Sequence, residues 1–217
     1  QEAPAPENKT LPTVTVKEKA EPEEGRDSLR ATRTGIARGT QELRDIPQSV
    51  TVVTEKLMDD RNLDTLKEVL QYTAGISFLA AEGGEEDIRL RGYSLQSTGD
   101  IFVDVLRDPG FYDRDTFNFD RVEIIRGSAS MLFGRGSTGG AVNQVSKVPR
   151  LMDENRIDFT VGNHNFLRFT GDFNAHVGES AALRVNVMGN TASNDGAGNS
   201  IRKDGIAGAY RWGIGER

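Results

Sequence analysis

Between Leu167 and Val177 the chain alternates without a break. Leu167, Phe169, Gly171, Phe173, Ala175 and Val177 make one face apolar or small, and Arg168, Thr170, Asp172, Asn174 and His176 make the other polar. Successive side chains of a strand point to opposite faces, so a run with period two reads as a β-strand rather than a helix. Shorter runs repeat the pattern at Ile157/Phe159/Val161, Leu183/Val185/Val187 and Tyr210/Trp212/Ile214, with turns at 162–165 and 178–180 and a long polar loop at 192–204. The spacing predicts about four antiparallel strands of roughly 9–11 residues, a length that suits transmembrane β-strands. A soluble sandwich with one wet face gives the same signal strand by strand.

Composition narrows the classes without choosing between these two. No run of about 18 apolar residues occurs, which excludes a membrane-spanning helix and leaves a barrel open. The 24 glycines in 217 residues exceed the roughly 7% average usage and favour turn-rich β structure. A formal charge of −6 argues against a general nucleic-acid binder, which needs a concentrated basic face. With no cysteine, disulfides, thiolate metal sites and cysteine nucleophiles are all excluded. The chain starts at Gln1, which raises the expectation of a processed or cut start, a cleaved secretory signal peptide being one explanation.

Residues 1–30 are rich in Pro, Glu, Lys and Ala and lack the apolar content that would offset ordering entropy, so they read as a flexible tail. One island interrupts it, LPTVTVK at 11–17, where Thr13 to Val16 favour an extended strand suited to adding onto the sheet edge of a partner. Structure begins near Asp45. SVTVVT at 49–54 reads as a strand, and Leu57, Asn62, Leu63, Leu66, Val69 and Leu70 form a stripe near helical period, with Gly75 as the helix stop. Further strands are expected at Ile76 to Ala81, Ile88 to Tyr93 and Ile101 to Leu106, with a turn at EGGEED and a polar, aromatic loop at 108–119.

The segment from Asp120 to Gln144 runs from an apolar strand into a glycine-dense stretch carrying Arg126 and Arg135. Gly134 to Gly139 matches G-x-G-x-x-G, but a dinucleotide loop needs a helix starting at the glycines, and Ala141 to Val145 reads as strand. GSAS at 127–130 lacks the second glycine of a nucleophile elbow. Only His164 and His176 could serve as a histidine base, and both lie in or beside the alternating strands. No convergent catalytic set and no metal-ligand cluster is present, so an enzyme is not expected.

In their order and spacing these pieces resemble TonB-dependent outer-membrane siderophore receptors, the catecholate type being most similar. The residues that carry the resemblance are LPTVTVK (11–17), IPQSVTVVTEKLMDDRNLDTLKEVLQYTAGI (46–76), IRLRGY (88–93) and DRDTFNFDRVEIIRGSASMLFGRGSTGGAVNQVSKVP (113–149). The resemblance spans about Leu11 to Arg217. It implies an α+β plug domain with a mixed β-sheet, followed by the first strands of a transmembrane antiparallel β-barrel of the 22-stranded kind. On this chain that gives a flexible periplasmic tail over 1–44, a plug over 45–150 and about four barrel strands over 151–217. Four strands cannot close a barrel or face lipid with open edges, so the expectation is a piece of a longer receptor.

The implied function is energy-coupled uptake of a ferric siderophore across the Gram-negative outer membrane, without a cofactor, with tail and plug reachable from the periplasm. The implied partners are the TonB carboxy-terminal domain, the iron–siderophore complex and outer-membrane lipid, with no nucleic acid. Leu11, Pro12, Thr13, Val14, Thr15, Val16 and Lys17 would form the TonB box. Tyr93, Ser94, Gln96, Phe111, Tyr112, Asp113 and Arg114 would face the ligand from two loops, and Arg126 and Arg135 would pair with glutamates on the barrel wall. Members that signal to gene regulation carry a further folded domain before the TonB box, whereas ten residues precede Leu11, so transport without that branch is expected. In one departure, Asp104 is followed by Val105 where the family usually has glycine. The alternative is a soluble β-rich binding or adhesion module that closes residues 151–217 into a compact sheet.

Overall fold

The structure, a computed structural model, describes residues 26–36, 41–80, 86–108, 112–133, 139–194 and 198–214. Leu11 to Lys17, Phe111 and Arg135 lie outside the described residues, as does most of the Gly134 to Gly139 motif. The first elements are a short antiparallel pair, β1 (Arg33–Thr34) and β2 (Gln41–Glu42). Then β3 (Ser49–Thr54) leads into α1 (Glu55–Asp60) and α2 (Leu66–Gln71).

The apolar stripe from Leu57 to Leu70 is therefore two short helices, not the single stretch its spacing predicts. Two caps and a left-handed residue break it. Thr54 Oγ1 accepts from Leu57 N at 3.4 Å at the start of α1. Asn62 then turns the chain with φ +49, and Thr65 and Glu68 close a capping box on α2, satisfying two of the orphan amides of a helix start. The stripe still serves its purpose, since Met58, Leu63, Leu66, Val69 and Leu70 are all buried. Gly75 is not the helix stop: α2 ends before Tyr72, and Gly75, at φ +83, turns the chain into the next strand.

That strand is β4 (Ile76–Ala80), followed by β5 (Glu86–Leu90), β6 (Tyr93–Ser94) and α3 (Leu95–Thr98). The expected strand over 101–106 is a hairpin of β7 (Ile101–Val103) and β8 (Leu106–Arg107). Its two turn residues, Asp104 and Val105, both have positive φ, +48 and +68. Next come β9 (Phe119–Arg126), α4 (Ser130–Phe133) and β10 (Gly140–Ser146). The last part is four long strands, β11 (Glu154–Val161), β12 (Leu167–His176), β13 (Ala182–Asn194) and β14 (Asn199–Arg211). The last two strands extend into what the sequence suggests is a loop over 192–204.

The central sheet is mixed, in the order β3-β9-β10-β7-β8, with β10 parallel to β7 and its other pairs antiparallel. Its two faces are both covered. On one, Val122, Ile124, Val142 and Ile101 pack with the helical stripe and with Ile88, Leu90 and Leu95. On the other, Phe102, Ile125 and Ala141 pack with Ile36, Ala129 and Phe133. Gly140 opens β10 because nothing larger fits: a Cβ there would sit 2.3 Å from the Ile125 carbonyl oxygen. Ile36 and Thr34 are fully buried, which corrects the reading of residues 1–44 as flexible tail throughout. The described residues from Arg26 to Ile36 are held in place, because the chain there supplies a core residue and, at Gly35 N, a donor to Glu123 Oε1 at 3.0 Å.

The four long strands form a separate antiparallel meander, β11-β12-β13-β14, in continuous register. Its burial is inverted relative to a soluble sheet. Phe159, Val161, Ile206 and Trp212 are 71, 78, 78 and 74% exposed, whereas Arg168, Asp172, Asn174, Arg184 and Asn186 are 2–5% exposed. The polar face lies on the mixed-sheet domain and the apolar face lies outward.

Candidate functional site

A charged seam joins the two parts. At its centre Arg26 donates from Nε to Glu55 Oε1 (3.0 Å), from Nη1 to Glu154 Oε1 (3.2 Å) and from Nη2 to Asp172 Oδ2 (2.6 Å). Lys147 lies between the same carboxylates, 3.0 Å from Glu55 and 3.1 Å from Asp172. Arg184 forks onto Asp172 at 2.8 and 2.7 Å and donates to the Val148 carbonyl at 3.1 Å. Strand alternation presents Asp172, Arg184 and Glu154 inward. Glu55 comes from the first turn of α1, where a carboxylate also suits the helix dipole.

A second cluster lies along the same face. Arg168 grips Asp115 with two bonds of 2.7 Å and reaches Asp64 at 3.0 Å. Burial pushes the Asp64 carboxyl up to about 6. Arg168 opposes that shift, but Glu68 and Asp115 add to it, and Arg168 already gives a bidentate fork to Asp115. The gap between α1 and α2 is where this loop docks: Leu66 N donates to Arg114 O at 2.8 Å, Thr116 N to Asp64 O at 3.0 Å, and Thr116 Oγ1 to Leu63 O at 2.8 Å. Arg156 with Asp59 and Lys203 with Asp113 continue the seam. Between the clusters is a polar cavity of about 200 Å³ lined in part by Asp59, Asp64, Arg156, Arg168 and Asp172.

The sequence-expected ligand residues fall into two groups. Tyr93 and Tyr112 are half exposed. Ser94 caps α3 by accepting from Ser97 N at 3.2 Å and also bonds Asp87. Gln96 is buried, its Oε1 accepting from Ile88 N at 3.0 Å. Arg114 is buried too: its Nε donates to Asp108 Oδ2 at 2.8 Å, and its guanidinium lies 4.3 Å from the centre of the Tyr112 ring. Tyr112 in turn donates to Asp108 at 2.7 Å, and Asp113 meets Lys203 of β14. The structure thus brings Tyr112, Asp113 and Arg114 into one braced loop.

Arg126 sits at the end of β9, donating to the Ala74 carbonyl at 3.2 Å, to Ser49 Oγ at 3.3 Å and to Thr51 Oγ1 at 2.8 Å. Those partners all belong to the mixed-sheet domain. The residues that do join that domain to the four strands, among them Arg26, Glu55, Asp64, Asp115, Lys147, Asp172 and Arg184, are marked as partners by no motif of the sequence. One signal was present: the polar face of the alternation carries Arg168, Asp172 and Arg184, charges that demand a charged counter-surface if buried.

An antiparallel sheet that is greasy outside and ionic inside, wrapped on an α+β domain, defines the wall of a plugged transmembrane barrel and its plug. It is the inverse of a soluble sandwich, so the soluble-module alternative does not fit. The TonB-dependent Receptor Plug Domain family matches residues 42–141. The probable TonB-dependent receptor BfrD of Bordetella pertussis is 37% identical over 180 residues, 81% of this chain and 24% of that protein. The probable TonB-dependent siderophore receptor PiuA of Acinetobacter baumannii is 32% identical over 209 residues, 94% of this chain and 27% of that protein. The crystal structure of PiuA superposes with a TM-score of 0.79 at 31% identity, covering 88% of this chain and 28% of that one. The ferric-catecholate import receptor Fiu of Escherichia coli, in its open form, gives 0.74 at 30% identity, covering 81% and 26%.

The chain belongs to the TonB-dependent siderophore receptors, a family of non-enzymatic outer-membrane transporters, and holds the plug and the start of the barrel. It spans about a quarter of the length of the relatives it matches.

Proposed function

We propose that the complete receptor takes up a ferric siderophore across the outer membrane and that TonB-driven remodelling of the plug releases it inward. The observation that carries this is the ionic seam. A plug bound to its wall by buried ion pairs blocks the pore in a defined position, and opening it requires work. A nanomolar chelate is itself held by about 12 kcal/mol, so tight capture and rapid release need an energy source. In this reading residues 11–17 are the handle, a strand added to the sheet edge of the TonB carboxy-terminal domain. Residues 45–150 are the plug, reached from the periplasm, and residues 151–217 begin the wall.

The ligand class we propose is a ferric catecholate. It is anionic and flat-faced, and the half-exposed Tyr112 ring, held over the Arg114 guanidinium that Asp108 pairs, offers a braced stacking face. Tyr93 would supply a second ring, with Ser94, Gln96, Phe111 and Asp113 shaping the two loops. Arg126 and Arg135 would lock the plug to glutamates elsewhere on the wall. The test is iron uptake by the full-length receptor in cells lacking their own siderophore receptors, supplied with catecholate, hydroxamate or mixed chelates. Catecholate uptake that depends on TonB is expected. Val14→Pro, which removes a backbone donor from the handle, should abolish uptake while leaving surface binding intact. Undiminished uptake by that variant would overturn the handle, and uptake confined to another chelate would overturn the ligand class.

A further inference from the structure

Arg26 is the first described residue of the chain, and it is bonded to three carboxylates on three different elements, α1, β11 and β12. Its side chain is 8% exposed, with Glu55 and Asp172 at 4 and 7%. Arg26 thus ties the segment that leads into the fold to the plug and to the wall at once. Only eight residues separate it from Lys17, a span of at most about 30 Å when drawn out. Traction from the amino-terminal side therefore reaches Arg26 before it reaches Thr34 and Ile36, the next buried residues.

The charges around it are balanced. Arg26, Lys147 and Arg184 face Glu55, Glu154 and Asp172, three cations against three carboxylates. Withdrawing Arg26 leaves two cations for three. The remaining groups also have somewhere to go: Glu55 Oε2 is buried with no hydrogen-bond partner among the described residues, and Arg184 Nη2 lies 3.9 Å from it. Closing that gap would re-pair Glu55 after Arg26 leaves, giving the seam a second arrangement.

We propose that Arg26 is the coupling residue of this receptor: it latches the leading segment to the plug–wall seam, so that a pull on that segment opens the seam there first. The inference rests on the reading of residues 11–17 as the TonB handle. Lys147, which still bridges Glu55 and Asp172, keeps the seam from falling apart when the latch opens. The guanidinium fork matters, because a single ammonium cannot meet three carboxylates in a plane.

The absence of cysteine from these 217 residues makes a direct test simple. A Glu18→Cys substitution in the full-length receptor puts a thiol for a pulling handle on the leading segment, and single-molecule traction in a lipid bilayer needs neither TonB nor ligand. A first rupture ahead of plug unfolding is expected. Arg26→Ala should remove it or speed its opening about tenfold or more, as truncating one side of a buried charge pair accelerates dissociation. Arg26→Lys should be intermediate. Glu154→Gln, at a side chain 38% exposed, should weaken the same rupture and guards against misfolding in Arg26→Ala. An unchanged first rupture in both Arg26→Ala and Glu154→Gln would overturn the latch. Loss of uptake in the unmodified receptor, with the rupture still dependent on Arg26, would instead overturn the transport reading and leave the latch standing.

Discussion

The two large sheets are built from strands of similar chemistry, yet they bury opposite faces. In the plug, Val122, Ile124, Ile125 and Val142 are fully buried, and stability comes from apolar surface removed from water on both sides of the sheet. In the wall, Ile157, Phe159, Ile206 and Tyr210 are exposed, and Arg168, Asp172 and Arg184 are buried. A strand's own pattern therefore does not say which face is the inside; the surroundings decide it. Lipid outside and a charged plug inside invert the rule that holds within the plug, because an apolar face costs nothing in hydrocarbon and a polar one finds partners only on the plug.

The largest expected effect is a matched pair of substitutions. Ile124→Asp buries a carboxylate in the apolar plug core and should cost more than about 4 kcal/mol, the range in which a single change unfolds a domain. Ile206→Arg, on the wall's outer face, should be nearly silent in water and cost about 2 kcal/mol in a bilayer if it lies near the midplane. Denaturation of the full-length receptor in lipid and out of it measures both. Equal costs in the two media would break the comparison.

Next is the seam. Arg184→Met removes a buried cation and strands part of Asp172, which should cost about 3 kcal/mol, the lower end for a broken buried pair, because Lys147 and Arg26 remain. The loss should appear as faster hydrogen exchange in α1 and in β12 with little change in β9 and β10. Uniform loosening of the whole plug would mean that the seam and the core are not separable.

Acidity tests the second cluster. Asp64 holds its proton up to about 6 in the folded chain, against an ordinary 3.8, first because it is buried. The folded state thus binds more protons than the unfolded one between about pH 4 and 6, so this group's contribution to stability is complete below the ordinary value and falls away as pH rises through 6. Asp64→Asn should remove that slope. A carboxyl titration near 4 for Asp64, followed by NMR, would show that Arg168 outweighs burial.

Much of the wall was legible because period-two alternation is local, and β12 falls at Leu167–His176 where the pattern places it. The plug strands were legible from short β-branched and apolar runs, although the run over 101–106 is a hairpin and not one strand. What could not be read is whatever depends on distant residues. Asn62 breaks the helical stripe because the loop around Asp115 docks into the gap, and nothing near Asn62 announces a loop some fifty residues away. Arg26 sits in a stretch whose composition says disorder, and it is ordered by three carboxylates from elsewhere. The candidate ligand residues divide in the same way: Tyr93 and Tyr112 present exposed rings, whereas Gln96 and Arg114 are bonded within the plug.

The smallest effect concerns the hairpin of β7 and β8, where the sequence departs from its family. Asp104 and Val105 at φ +48 and +68 have the two left-handed centres of a tight hairpin turn, a geometry that asks for Asn-Gly or Asp-Gly. A β-branched residue there is strained, and the structure shows what holds it. Val105 N donates to Asn143 Oδ1 at 2.9 Å, Asp104 Oδ1 accepts from Ser146 N at 2.8 Å, and Val105 packs on the cluster of Phe102 and Phe133. Val105→Gly gives up that packing and relieves the turn, so the two terms oppose each other and the net change should stay within about 1 kcal/mol. Val103→Gly, in the adjoining strand without strain to relieve, should cost more. If chemical denaturation found the two equally damaging, the turn at Val105 would not be strained, and the plug would follow local propensity here rather than override it.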